Sequence, residues 1–279
     1  MFEKRKFLSC RIRKFRKSLM IIDTHCHLDD DSYDDDFSDV LDRAKANGVE
    51  KIIIPGADIN DLQKARNLAH ANENVYFAVG VHPYHCNDFD LSILESYAND
   101  EKCVAVGECG LDYYRLKSDF ENENERANHK KLQKDVFLAQ INLASRLKKP
   151  LIVHIRDANE DSFEILKANS DKLVGGVLHC YNASRLLLGL KDCGFYFGIG
   201  GVLTFKNAKN LVEILPEIPL EKILIETDAP YLTPEPFRGK RNEPSYTKFV
   251  VEKISSLLNL EISQVEQITT ENAVRLFSV

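Results

Sequence analysis

No stretch of the chain approaches the ~20 consecutive apolar residues that a membrane-spanning helix needs. Residues 1–19 also lack the uninterrupted apolar core of a secretory signal. These two absences predict a cytoplasmic protein without stable membrane association. The seven cysteines, Cys10, Cys26, Cys86, Cys103, Cys109, Cys180 and Cys193, include no C-x-x-C pair. An odd number in a large chain without a secretion signal predicts reduced thiols rather than a disulfide framework. Buried free cysteine behaves as a small apolar residue, and Cys26 and Cys109 are read in that way. Methionine is scarce as well, with only Met1 and Met20. Met20 opens directly onto the first strand signal. It is therefore read as the natural start, and residues 1–19 as a basic N-terminal extension, non-native or disordered. The competing reading is a basic helix for a membrane surface or a polyanion, since Phe7 or Leu8, Ile12, Phe15 and Leu19 fall at helical spacing.

The 279 residues are 44% hydrophobic and 29% charged, an ordinary globular balance with room for one large α/β barrel. The net charge of −6 hides an asymmetry. Taking away the eight basic residues and one acid of residues 1–19 leaves 29 basic and 42 acidic residues, a net of −13. A body this acidic has no general attraction for polyanions. Any nucleic-acid contact must be local or carried by metal ions.

From Met20 onward, strand and helix signals alternate. Apolar β-branched runs occur at Met20–Asp23, Lys51–Ile54, Val75–Val81, Cys103–Gly107, Leu151–His154, Gly175–His179, Phe195–Ile199 and Ile223–Glu226. Amphipathic stretches at 34–47, 58–72, 88–99, 122–148, 158–169, 183–193 and 207–215 separate them, and Phe249–Leu258 and Ser263–Phe277 complete the chain. Parallel strands joined by helical crossovers give this pattern. Eight such units in one undivided domain, residues 20–279, predict a (β/α)8 TIM barrel of the metal-dependent hydrolase type. The acidic run Asp29–Asp36 reads as a solvated loop entering the first helix, where carboxylates favour the N-terminus.

Chemistry-bearing side chains collect at strand ends. His25 and His27 sit at i and i+2, which in a strand point to one side and can hold one metal ion. Glu108, His154, His179 and Asp228 end strands four, five, six and eight. At about 30 residues per βα unit, all six groups fall on the C-terminal rim where barrel active sites lie. Singly, each has a structural reading as a hydrogen-bonded histidine, a solvated carboxylate or a helix cap. Together, four imidazoles and two carboxylates at one mouth are costly to bury without cations. Six N/O ligands exceed the need of one tetrahedral ion and suit two cations sharing a carboxylate. The ion type stays open between Zn or Mn, which suit imidazole, and Mg, which often serves phosphoryl transfer.

Candidate substrate contacts are His82, Arg156 and the basic cluster Arg238, Lys240 and Arg241, whose guanidinium forks match phosphate geometry. Each has an equal structural alternative as a satisfied histidine, an ion pair or a solvated basic loop. Tyr113 and Tyr114 could stack on a base or simply pack over the mouth.

The motifs D-T-H-C-H-L-D (23–29), G-V-H-P (80–83), G-E-C-G-L-D-Y (107–113), H-I-R-D-A (154–158), H-C-Y (179–181), E-T-D-A-P-Y-L-T-P (226–234) and R-G-K-R-N-E-P (238–244) follow in order along the barrel. Through them the chain resembles the TatD family of metal-dependent deoxyribonucleases, within the amidohydrolase superfamily. The resemblance implies two divalent metal ions (Mg, Mn or Zn), with His25, His27 and Asp228 on one, His154 and His179 on the other, and Glu108 bridging. It implies a hydrolase acting on ester bonds, a 3′-5′ exonuclease type of deoxyribonuclease on single-stranded DNA, with Asp228 as general base and no obligate protein partner. Strand six departs from the family, which runs on through Ser-Gly where this chain has Asn182-Ala183. Two other functions compete: hydrolysis of a small ester or amide on the same ions, and a non-catalytic nucleic-acid-binding barrel.

Overall fold

Each of the eight β-branched runs becomes a strand. A computed structural model describes residues 20–279. The basic extension 1–19, with both of its readings, lies outside the described residues. The strands are β1 (Ile21–Asp23), β2 (Val49–Ile54), β3 (Val75–Val79), β4 (Cys103–Asp112), β5 (Leu151–Arg156), β6 (Gly176–Leu178), β7 (Phe195–Ile199) and β8 (Ile223–Ile225). All neighbouring pairs are parallel, in the order β1 to β8. The ring closes just beyond the ends of β1 and β8. There the Thr24 N–H donates to Ile225 O (3.0 Å), the Asp228 N–H to His25 O (2.9 Å) and the His27 N–H to Ala229 O (2.8 Å), around a parallel bridge between Cys26 and Ala229. The closing seam therefore brings the His25-x-His27 segment against Asp228, 201 residues and more away in sequence.

Around the barrel run α1 (Phe37–Ala46), α2 (Leu62–Ala71), α3 (Leu91–Ala98), α4 (Leu116–Asp119), α5 (Glu123–Leu147), α6 (Asn159–Asn169), α7 (Arg185–Leu188), α8 (Lys209–Ile214), α9 (Thr247–Leu258) and α10 (Ile262–Phe277). Some of their starts are capped by side chains, though Asp36 and Asp61, before α1 and α2, make no capping bond. Asp90 accepts from the Ser92 and Ile93 N–H groups at α3, and Asn122 from the Glu125 N–H at α5. The apolar interior divides in two. The larger part fills the space between sheet and helices. The smaller lies within the barrel, where Ile22, Ile53, Ile152, Val177 and Leu224 meet Leu276 and Phe277, which close the lower end from α10.

Strand periodicity links this inner core to the rim. Two residues beyond Ile152, Val177 and Leu224 come His154, His179 and Glu226, on the same inward face. In β4 the period is broken. Val106 pairs with Leu151 and Cys109 with Val153, so three steps along β4 match two along β5. This bulge carries Gly107 at φ 146°, where an added Cβ would lie 2.3 Å from Ile152 O. Only glycine fits there, and the extra residue turns Glu108 to the rim cluster.

Several stretches differ from expectation. β4 runs five residues past the Gly107 end read from the sequence, to Asp112. Residues 183–193 form the four-residue α7 and a separate 3-10 turn, not one helix. The acidic run is not simply solvated. Tyr33 is buried within it and donates to Asn242 O (2.7 Å). Asp36 pairs with Arg43 (3.1 Å) and Arg241 (2.7 Å).

Candidate metal centre

Six side chains from five strand ends converge on one point of the rim. His25 Nε2 lies 3.3 Å from His27 Nε2, 3.3 Å from Glu108 Oε2 and 3.6 Å from Asp228 Oδ1. His27 Nε2 lies 3.9 Å from the same Glu108 oxygen and 3.6 Å from the same Asp228 oxygen. An ion held tetrahedrally at about 2.0–2.1 Å has ligand–ligand edges of roughly 3.3–3.4 Å by geometry. His25, His27 and Asp228, at 3.3–3.6 Å from one another, are spaced for one such ion, with Glu108 Oε2 beside the two imidazoles. The second Glu108 oxygen faces the other way. Its Oε1 lies 2.8 Å from His154 Nδ1 and 3.8 Å from His179 Nε2. His179 Nε2 is also 3.8 Å from Asp228 Oδ1. Glu108 thus turns one oxygen to His25 and His27 and the other to His154 and His179; His25, His27 and Asp228 form one cluster able to hold a cation, and Glu108, His154 and His179 another. Within 4 Å, Glu108 and Asp228 meet only imidazoles as ion-pair partners among the described residues. The donor set fits divalent ions of N/O preference.

The electrostatics follow from this crowding. Burial alone would raise the Glu108 carboxyl. The charges of His25 and His179, with hydrogen bonds from His154 and His25, outweigh it and hold the group well below the usual carboxylate range. Asp228 is lowered in the same way, burial being overcome by His179, His27 and His25. Burial opposes charging of His179, but Glu226, Asp228 and Glu108 raise it to about 10. His27 rises to about 8, because Asp228 and Glu108 overcome its burial. Burial dominates at His82 and lowers it to about 3, with Glu108 opposing. At Cys26 and Cys180, burial raises the thiols well above their ordinary value; nearby carboxylates add to it, and Arg156 opposes it only in part at Cys180.

A second layer holds the rim residues in place. His154 Nε2 lies 3.0 Å from Asp112 Oδ2, and His179 Nδ1 lies 3.1 Å from Glu226 Oε1. The Cys180 N–H donates to that Glu226 oxygen at 2.6 Å. Asp23 accepts from the Thr227 N–H (3.0 Å), the Thr227 hydroxyl (2.6 Å) and the His25 N–H (3.3 Å), which ties the β1 end to the β8 end. Asp228 itself adopts φ 55°. Asp and Asn tolerate this left-handed conformation better than most side chains.

The candidate substrate contacts divide. His82 joins the cluster, with Nε2 3.7 Å from Glu108 Oε1. Arg156 is exposed and stacks on the ring of Tyr114 at 3.7 Å. Tyr114 is 56% exposed, whereas Tyr113 turns away to donate to Asp161 (2.7 Å). Arg238 donates to Thr233 O (2.9 Å) and covers the Phe205 ring. Arg241 is bound to Asp36 and to Ser32 O. Lys240 is exposed. Sequence reasoning passed over Asp112, Glu226 and Asp23 as site residues. A carboxylate two residues from a ligand, in Asp23 and Glu226, was the available signal. For Asp112 the signal was hidden by the unforeseen length of β4.

An eight-stranded parallel barrel whose rim gathers imidazoles and carboxylates at cation spacing is a metal-dependent hydrolase of the TIM-barrel type. The chain belongs to the TatD related DNase family, whose sequence model matches residues 22–278. It is 43% identical over 266 residues to the metal-dependent hydrolase YabD of Bacillus subtilis, covering 93% of this chain and 100% of that one. It is 36% identical over 269 residues to the 3′-5′ ssDNA/RNA exonuclease TatD of Salmonella typhimurium, covering 93% and 99% of the two chains. Among solved structures, the TatD homologue YJJV of Escherichia coli superposes with a TM-score of 0.82 at 28% identity, over 93% of this chain and 98% of that one.

Proposed function

We propose that the protein hydrolyses phosphodiester bonds of single-stranded DNA from the 3′ end, using two divalent ions. His25, His27 and Asp228 would hold one, His154 and His179 the other, and Glu108 would lie between them. The observation that carries this reading is the division of Glu108, with Oε2 3.3 Å from His25 Nε2 and Oε1 2.8 Å from His154 Nδ1. The name of the Salmonella relative supports the substrate and polarity. When bound, such ions lower the pKa of water and offset charge on phosphoryl oxygens.

The chain's own residues do the remainder. Asp228 orients the attacking water and takes its proton at the carboxylate. Arg156, braced on Tyr114, presents guanidinium N–H groups to a substrate phosphate. Exposed Tyr114 offers its ring edge to a terminal base. His82 stands 3.7 Å from Glu108 and contacts the substrate side of the cluster. Arg238 is engaged within its loop and Arg241 ties that loop to Asp36 and Ser32 of the acidic run, so both shape it, and exposed Lys240 supplies its phosphate contact. The reaction needs no partner protein and takes place in the cytoplasm.

The test uses 3′-protected and 3′-free end-labelled single strands. Stepwise shortening from a free 3′ end should require added divalent ion and stop with chelator. Asp228→Asn should abolish it while leaving circular dichroism unchanged. Full activity in that variant, or cleavage of a carboxyester panel with none of DNA, overturns the proposal.

A further inference from the structure

The opposite, N-terminal face of the barrel holds a cavity of about 610 Å³. It lies below β4, β5, β7 and β8, at the far end of the strands from the metal cluster. Val104, Tyr196, Leu276 and Phe277 lie at its base but are almost fully buried, so its open lining is mainly polar, and its wall carries Lys148, Lys149, Lys222 and Arg275. The only acid among the lining residues is Glu101.

This charge balance runs against the rest of the molecule. Outside residues 1–19 the chain has 42 acids for 29 bases, so a surface drawn at random would surround four cations with more carboxylates than cations. None of the four has a carboxylate within 4 Å among the described residues; the ion pairs of the molecule lie elsewhere. Their partners are neutral. Lys149 donates to Cys103 O, Lys222 lies 4.5 Å above the Tyr196 ring, and Arg275 Nη1 reaches Asn272 Oδ1 at 3.4 Å. Lys148, exposed, stands at the end of α5 with φ 52°. Cations without carboxylate partners around one cavity repel one another, and an anion removes that cost. The volume falls in the usual range for small-molecule sites.

We propose that this cavity is a second binding site, separate from the metal centre, for a phosphate-bearing small molecule of mononucleotide size. The phosphate meets Lys148, Lys222 and Arg275, and the remainder of the molecule occupies the cavity above its buried base. The proposal does not depend on the substrate of the rim site.

Calorimetric titration of the full chain with deoxyadenosine 5′-monophosphate, in excess chelator, tests it. Chelation removes any phosphate binding that depends on the rim ions. One saturable site is expected, displaced by inorganic phosphate and weakened as salt rises. Each of Arg275→Gln and Lys148→Gln, both at exposed positions, should weaken binding roughly tenfold, as expected for a lost charge-assisted bond. Lys222→Gln should do the same, and Asp228→Asn should leave it unchanged. Absence of saturable binding in the wild-type chain overturns the site. So does binding that phosphate cannot displace, or binding equal in the wild type and the two exposed-residue variants.

Discussion

Two histidines of the rim are held by opposite nitrogens. Asp112 faces Nε2 of His154, which leaves Nδ1 toward Glu108, and Glu226 faces Nδ1 of His179, which leaves Nε2 toward Glu108 and Asp228. A carboxylate behind a ligand histidine fixes its tautomer and orientation. Asp112→Asn and Glu226→Gln should therefore each lower divalent-ion affinity about 10–100-fold. Competition with a chromophoric chelator measures this directly, and affinity equal to wild type removes the role from either residue. A second residue-scale prediction lies far from the rim. Burial would raise the Asp100 carboxyl, but hydrogen bonds from Arg66, the Lys102 N–H and His70 outweigh it and hold the group at about 2. A carboxyl lowered by folding stabilises above its unfolded value near 4, and that stabilisation is lost as pH falls through about 2. Allowing for its partly exposed partners, Asp100→Asn should cost about 1–2 kcal/mol at pH 7 and little at pH 2. Urea unfolding at both pH values checks it; an equal cost at each would mean the pairing is not the cause. The histidines and Glu108 were legible in the sequence because strand ends display them in motifs. Asp112 was not, because nothing in C-G-L-D signals that the strand continues past a glycine bulge.

At the scale of elements, the eight strands were legible because β-branched runs bounded by amphipathic stretches leave little choice of state. The exceptions have local causes. Leu186, Leu187, Leu188 and Leu190 give helical spacing, but Gly189 and Gly194 interrupt it, and the chain turns into β7 with Gly194 at φ 84°. The four-residue α4 is too short for any periodicity to show. The β4 bulge and the floor of β7 both depend on missing side chains. At Gly198 an added Cβ would lie 2.1 Å from Glu226 Oε2, the far end of a side chain that can move. Gly198→Ala should fold, displace that carboxylate and reproduce the loss of metal affinity expected of Glu226→Gln. In the double variant the two losses should not add, since both act through one contact. Additive losses would separate Gly198 from Glu226. Gly107→Ala meets backbone instead, Ile152 O at 2.3 Å, and at φ 146° it is strained whatever the space. A cost of several kcal/mol is expected there by strain and overpacking together, read as loss of soluble folded protein.

The whole molecule sets the terms on which a polyanion approaches. A body of net charge −13 outside residues 1–19 repels DNA only within a Debye length, about 8–10 Å at ordinary salt, and salt screens the repulsion beyond it. Close to the rim, the attraction comes from the metal pocket and from a few exposed cations. Arg156 and Lys240 are exposed, and so is Arg115, which lies over the Tyr84 ring on the loop after β4. Arg241, Arg43 and Lys64 are bound to carboxylates of the acidic run, and Arg43 also to Glu243, so they have no charge to spare. A strand that meets three protein cations should release about two counterions, giving a slope of log K against log salt near −2. A nuclease with a continuous basic groove would show a slope of about −5 or steeper for eight contacts. The measurement is binding of a short single strand to metal-loaded Asp228→Asn across a salt series, by fluorescence anisotropy with a labelled oligonucleotide. A slope near −2 that flattens by about 0.7 in Arg156→Ala places one phosphate on that guanidinium. A slope steeper than about −5 would mean that the strand follows a cationic path this acidic rim does not offer.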